Sequence, residues 1–126
     1  MTKKKILIFI DWFIPAYKAG GPISSVRNLC NALQEDYDIY VVTSDTDLGE
    51  DQPIKGIVSN KWQTIENIQV LYLPYAKQTK EKYIEIYKEL HPDAVHLNSL
   101  FSKYFTLYPL AILKNAQTKI IVSPRG

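Results

Sequence analysis

Short apolar runs alternate along this chain with stretches whose apolar residues recur every three or four positions. The first kind predicts strands buried on both faces, and the second predicts amphipathic helices. Their alternation predicts an α/β protein, a mostly parallel sheet flanked by helices. The pattern places strands over residues 5–11 and 37–43, with a helix over 22–33 between them. A helix over 79–90, a strand over 94–97, an apolar helix over 102–114 and a last strand over 118–123 follow. Val26, Leu29, Cys30 and Leu33 share one face of the first helix, and Tyr83, Ile86, Tyr87 and Leu90 share one face of the second. Segment 102–114 is apolar almost all round, which predicts a sandwiched helix, with a kink or restart at Pro109. Two short strands, 62–66 and 68–73, meet at Glu66-Asn67 and predict a small β-hairpin excursion over about residues 61–73.

Composition narrows the class. The 126 residues, 46% of them hydrophobic, suit one globular domain. A net charge of +2 leaves no electrostatic footprint for nucleic acid, so none is expected as a partner. Cys30 has no second cysteine to pair with, which favours a reducing compartment, and its place on the helical stripe makes it a core residue. Lys3-Lys4-Lys5 and the apolar run behind them look like the start of a signal peptide, but Asp11 ends the run after five residues. No stretch reaches the length of a membrane span. The expectation is a cytoplasmic protein, with peripheral contact at the inner face of a membrane left open. The acids of residues 45–51 read as a solvated loop, because Gly49 is misplaced for a calcium loop. His91 and His96 lack the spacing of helical metal ligands, and no metal is expected.

The chemistry gathers at the strand ends. The first strand passes through an irregular stretch, residues 12–20, into Gly20-Gly21-Pro22 and so into the first helix. Glycine admits backbone angles closed to other residues, and the N–H groups of a helix start carry the positive end of its dipole. Together they describe either an anion site or a tight connection that binds nothing. In parallel sheets, ligands bind outside the carboxyl ends of the strands. Those ends carry Asp11, Thr43-Ser44-Asp45, His96-Leu97-Asn98-Ser99 and Ser123-Pro124-Arg125-Gly126, which should converge on one edge with Gly20 and Gly21. The GxGxxG dinucleotide fingerprint, the GxxxxGK[ST] phosphate loop and the nucleophile elbow are all absent. His96 reads either as a buried, hydrogen-bonded residue or as part of this edge.

With these residues in view, the chain resembles the family-four retaining glycosyltransferases. Gly20-Gly21-Pro22 followed by Ile23-Ser24-Ser25-Val26-Arg27-Asn28-Leu29 is similar to the start of that family. Asp93-Ala94-Val95-His96 resembles its acid-apolar-apolar-histidine strand, and Ser123-Pro124-Arg125-Gly126 the strand end of its SPRG branch. The resemblance implies the Rossmann-like, acceptor-side N-terminal domain of a two-domain GT-B enzyme. Such an enzyme moves a sugar from a nucleotide-sugar co-substrate to a glycan or lipid-linked acceptor, with no further cofactor and no metal. It implies that Gly20 and Gly21 border the donor phosphates and the acceptor. Asn98 and Ser99 would meet acceptor hydroxyls, and Arg125 would hold a phosphate or carboxylate. Where many members of the family place a histidine, this chain has Arg125. The family's donor-binding C-terminal domain is not in these 126 residues, so the expectation is a fragment, inactive alone. In a longer form, Gly20→Val should block transfer and leave the fold intact. Two other readings stay open: a non-catalytic subunit of a split glycosyltransferase, and a small flavodoxin-like nucleotide-binding module.

Overall fold

The structure is a computed structural model that describes residues 3–114 and 116–124. Its strands are β1 (Lys4–Phe9), β2 (Tyr37–Ser44), β3 (Trp62–Ile65), β4 (Ile68–Leu73), β5 (Ala94–Asn98) and β6 (Lys119–Ser123). They form one six-stranded sheet in the order β3-β4-β2-β1-β5-β6. All neighbours run parallel except β3 and β4, the expected edge hairpin. It turns at Glu66 and Asn67, whose φ angles of 51° and 67° give the paired left-handed residues that match the twist of a two-residue hairpin.

Counted along the parallel strands alone, the order is third, second, first, fourth, fifth, which is the Rossmann-like arrangement. The flavodoxin-like order would put the second strand at the edge, and here β2 lies inside. The winding reverses between β1 and β5, the position at which doubly wound sheets open a crevice.

The pleat sorts side chains into two layers of core. Leu7, Phe9, Val42, Leu71, Val95 and Leu97 pack on one face against Tyr83, Ile86 and Leu90 of α2 (Lys80–Leu90) and Leu113 of α3 (Tyr108–Leu113). Ile8, Ile10, Ile39, Val41, Val70 and Tyr72 pack on the other with Val26 and Cys30 of α1 (Gly21–Leu33). Full burial of each such aliphatic side chain contributes roughly 1.5–3 kcal/mol before conformational entropy is counted. The α1 stripe is narrower than the sequence suggests: Ile23, Val26 and Cys30 are buried, while Leu29 and Leu33 lie half-buried on its flank.

Local chemistry sets the helix ends. Thr79 caps α2 by accepting from Lys82 N at 3.2 Å, and His91 closes it in the left-handed region at φ 49°. Asp93 then fastens β5 to β1: its Oδ2 accepts from Lys5 N at 2.8 Å, and its own N–H donates to Lys5 O at 2.9 Å.

Two sequence expectations need correction. Segment 102–114 is a π-helical turn, Lys103–Leu107, followed by α3, with Pro109 the second residue of the restarted helix. It is not sandwiched. It lies in the outer layer, so Leu107 is left 49% exposed. Nor is the acidic loop simply solvated, because Asp45 and Asp47 are 5% and 8% exposed. The reason is hydrogen bonding: Asp47 accepts from backbone N–H groups of another loop, and Asp45 accepts from Ser59 Oγ at 2.7 Å. No helix among the described residues is long and apolar enough to cross a membrane.

Candidate functional site

A cleft of about 370 Å³ opens at the reversal point between β1 and β5. Asp11, Trp12, Pro22, Ser99, Phe101 and Ser102 bound it, with Asn98 at its base. The strand-end residues do converge here, though not all of them.

The wall from residue 12 to residue 20 is irregular but firmly held. Phe13 is fully buried beneath it, and the Tyr72 hydroxyl donates to the Ile14 carbonyl. Asp47 accepts from Tyr17 N at 3.0 Å and Lys18 N at 3.2 Å. Burial alone would raise the Asp47 carboxyl, but the N–H groups of Tyr17, Leu48 and Lys18, with the Lys18 charge, carry it below its ordinary value.

Gly20 emerges from this wall at φ 70° and ψ −116°, a conformation that side chains disfavour. Gly20→Val therefore strains the backbone as well as changing the turn, so it cannot report on the turn alone. Gly21 differs. Its φ is ordinary, and a Cβ on it would meet nothing within 4 Å.

The anion cradle is thinner than the sequence pattern implies. The N–H groups of Ile23 and Ser24 both donate to the Gly20 carbonyl, at 3.1 and 3.3 Å, and Pro22 has none. The first turn therefore keeps only the Gly21 N–H to offer a ligand. A carboxylate also shares the cleft, which opposes a second negative charge there.

That carboxylate, Asp11, is the group that sequence reasoning undervalued. Burial raises its pKa above the ordinary value, while the Ser102 hydroxyl, donating to Oδ2 at 2.9 Å, and the residue's own backbone N–H work the other way. Its position was readable, because it breaks the apolar run at the end of the first strand. Ser102 carried no such signal, being 91 residues away in sequence.

The other expected residues divide. Ser99 lines the cleft at φ 90°, its N–H donating to Ser123 O at 2.9 Å. Asn98 is 2% exposed, and its amide donates to Phe9 O at 3.1 Å, fastening the end of β5 to the end of β1. His96 sits apart from the cleft: it is in register with Ile8 and within 2.7 Å, through Nε2, of Ser123 Oγ. This matches the buried, hydrogen-bonded reading. Arg125 lies outside the described residues. Burial pushes the Cys30 thiol up to about 12, far from the reactive range. Among the described residues, no three His, Cys, Asp or Glu converge as metal ligands would.

Beside this cleft, a second hollow of about 300 Å³ lies over the ends of β2 and β4. Asp11 and Trp12 line both. No family model matches this chain, and no curated protein matches it significantly.

Proposed function

We propose that the chain is the acceptor-side half of a retaining glycosyltransferase. It holds a glycan or lipid-linked acceptor, while a donor-binding domain or a partner subunit supplies the nucleotide sugar. The observation that carries this reading is the composition of the cleft at the β1–β5 reversal point. Asp11, Ser99 and Ser102 offer hydroxyl-binding groups, and Trp12, Phe101 and Pro22 offer apolar surface. A neutral polyhydroxylated ring suits that mixture, with its hydroxyls on the carboxylate and its C–H face on the aromatic rim. A phosphate does not, because Asp11 repels it and the helix start has little left to donate.

On this reading, Asp11 and Ser99 orient the acceptor so that one hydroxyl faces the donor side of the cleft. Fixing that geometry is itself a large part of the rate enhancement in a two-substrate transfer. Stabilisation of the departing diphosphate falls to groups outside the described residues, Arg125 among the candidates. A lipid-linked acceptor would bring the protein to the inner face of the membrane.

Calorimetry on the purified chain tests the reading. Nucleotide sugars and flavins should give no tight, stoichiometric binding, whereas saccharides should bind in a way that Asp11→Asn abolishes. Tight binding of a nucleotide or flavin by the chain alone would replace the acceptor-side reading with that of a nucleotide-binding module.

A further inference from the structure

The hollow beside the candidate cleft is lined on one side by Tyr75 and Tyr104. Tyr75 is 71% exposed; its hydroxyl lies 2.7 Å from that of Tyr104, and the two rings meet edge to face at 5.3 Å. Tyr108 buttresses Tyr104 from behind at 5.4 Å, again edge to face. Lys103 Nζ lies 5.6 Å from the centre of the Tyr104 ring, and Lys80 Nζ 5.2 Å from that of Tyr108. An exposed tyrosine offers a large contact area with few rotatable bonds to order on binding.

The polar lining of the hollow decides what fits. Its carboxylates other than Asp11 are engaged within the protein. Asp45 accepts from Ser59, Asp47 accepts from three backbone N–H groups, and Glu50 pairs with Lys18. These bonds hold the carboxylates in place, and each keeps lone pairs that can accept from a sugar hydroxyl. Beside them lie four hydroxyls in two bonded pairs, Ser44 with Thr46 at 3.0 Å and Tyr75 with Tyr104 at 2.7 Å, each with capacity for a further bond, and Trp12 at the border of the first cleft. Carboxylates and hydroxyls beside tyrosine rings suit a sugar ring, as in the first cleft. The two spaces meet at Asp11 and Trp12.

The geometry points to a second sugar subsite: the Tyr75–Tyr104 hollow holds the residue next to the one in the Asp11 cleft, so the acceptor is an oligosaccharide of at least two units. This rests on the acceptor-side reading of the first cleft. It adds the size of the acceptor and names the ring, Tyr75, on which the distal unit stacks.

The experiment is frontal affinity chromatography of the full chain against gluco-, galacto- and manno-oligosaccharides of one to four units, with uridine and adenosine monophosphates alongside. The variants are Tyr75→Ala and, as a control at an exposed apolar side chain of α2 that lines neither space, Ile84→Ala, Ile84 being 40% exposed. The expected result is a preference of about tenfold or more for two units over one. Tyr75→Ala should abolish the preference, leaving monosaccharide affinity and the melting temperature unchanged, and Ile84→Ala should keep it. Equal affinity for one and two units, or a preference that survives Tyr75→Ala, overturns the second subsite while the acceptor cleft stands. Binding of the nucleotides in place of the sugars, or of no sugar at all, overturns both. A length preference lost in Tyr75→Ala, in a protein that supports no transfer when joined to a donor-binding half, keeps the subsite and removes the transferase reading.

Discussion

The Ser102 hydroxyl donates to Asp11 Oδ2 at 2.9 Å, joining the turn before the π-helical segment to the end of β1. The bond orients one carboxylate oxygen in the cleft, and Asp11 remains part of the lining of both hollows. It also steadies a charge that burial disfavours.

Asp11→Asn should uncouple stability from binding. The folded protein holds the Asp11 carboxyl above its ordinary value, so it binds the proton more tightly than the unfolded chain does. Stability from this group is then fully present below the ordinary carboxylate value and is lost as the pH rises through the raised one. Asparagine keeps the shape and an oxygen for Ser102 but never ionises. The variant should melt above the wild type at neutral pH, with the gap closing as the pH falls below the ordinary value, and it should lose saccharide binding. Thermal melts across the acid range check the first point, and a gap that does not change with pH would remove Asp11 ionisation as its cause.

The two glycines should respond in opposite ways. Gly20→Ala forces a side chain onto a backbone at φ 70° and should cost roughly 1–3 kcal/mol in urea denaturation. Gly21→Ala adds a Cβ that meets nothing within 4 Å, at a helix position where alanine is the better residue. It should be neutral or slightly stabilising. Gly21→Val should then keep the fold but weaken saccharide binding if this turn is a wall of the cleft. Unchanged binding would place the turn outside it.

Asp47→Ala should loosen the wall of residues 12–20. The carboxylate accepts from the N–H groups of Tyr17, Lys18 and Leu48, and its removal leaves half-buried donors unpaired at a cost of about 1–3 kcal/mol. The folded pKa is lowered, so this contribution is present above the ordinary carboxylate value and fades as the pH falls through the lowered one. Hydrogen exchange at the Tyr17 and Lys18 amides should accelerate in the variant. Unchanged exchange would mean that Phe13 and the Tyr72 bond hold the wall without Asp47.

Most of the frame could be read from periodicity, because β1, β2, β4 and β5 each bury an apolar run and each long helix an apolar stripe, whereas the edge strands β3 and β6 stay partly exposed. The hairpin at Glu66-Asn67 and the restart at Pro109 were legible for the same reason: their signals are local. The site was legible only in part. Asp11 and Ser99 announced themselves at strand ends, whereas the partnership of Asp11 with Ser102 and the burial of Asp47 depend on loops meeting in space. Leu107 misled because an all-round apolar segment reads as sandwiched, and only the layer count shows that its outer side has nothing over it. The tyrosine row gave no signal at all, since Tyr75 follows Pro74 in a short 3₁₀ turn, Tyr104 lies in the π-helical turn, and neither belongs to a repeating pattern.

Tyr83→Phe should stabilise the protein. Tyr83 is fully buried, edge-on to Phe9 at 4.9 Å and tilted against Phe105 at 6.4 Å, so its ring is packed on both sides. Its hydroxyl finds no hydrogen-bond partner among the described residues. Burial first, then the nearby Asp11 and Tyr108, push its pKa up, so it stays a neutral phenol that has lost water and gained nothing in return. Phenylalanine keeps the ring contacts and removes the orphaned group, at a gain of about 1 kcal/mol set against the small void it leaves. The measurement is a urea midpoint that rises with an unchanged m-value. A lower midpoint would show that the hydroxyl is bonded after all, to a buried water or to Asp11, and would tie Tyr83 to the floor of the candidate site.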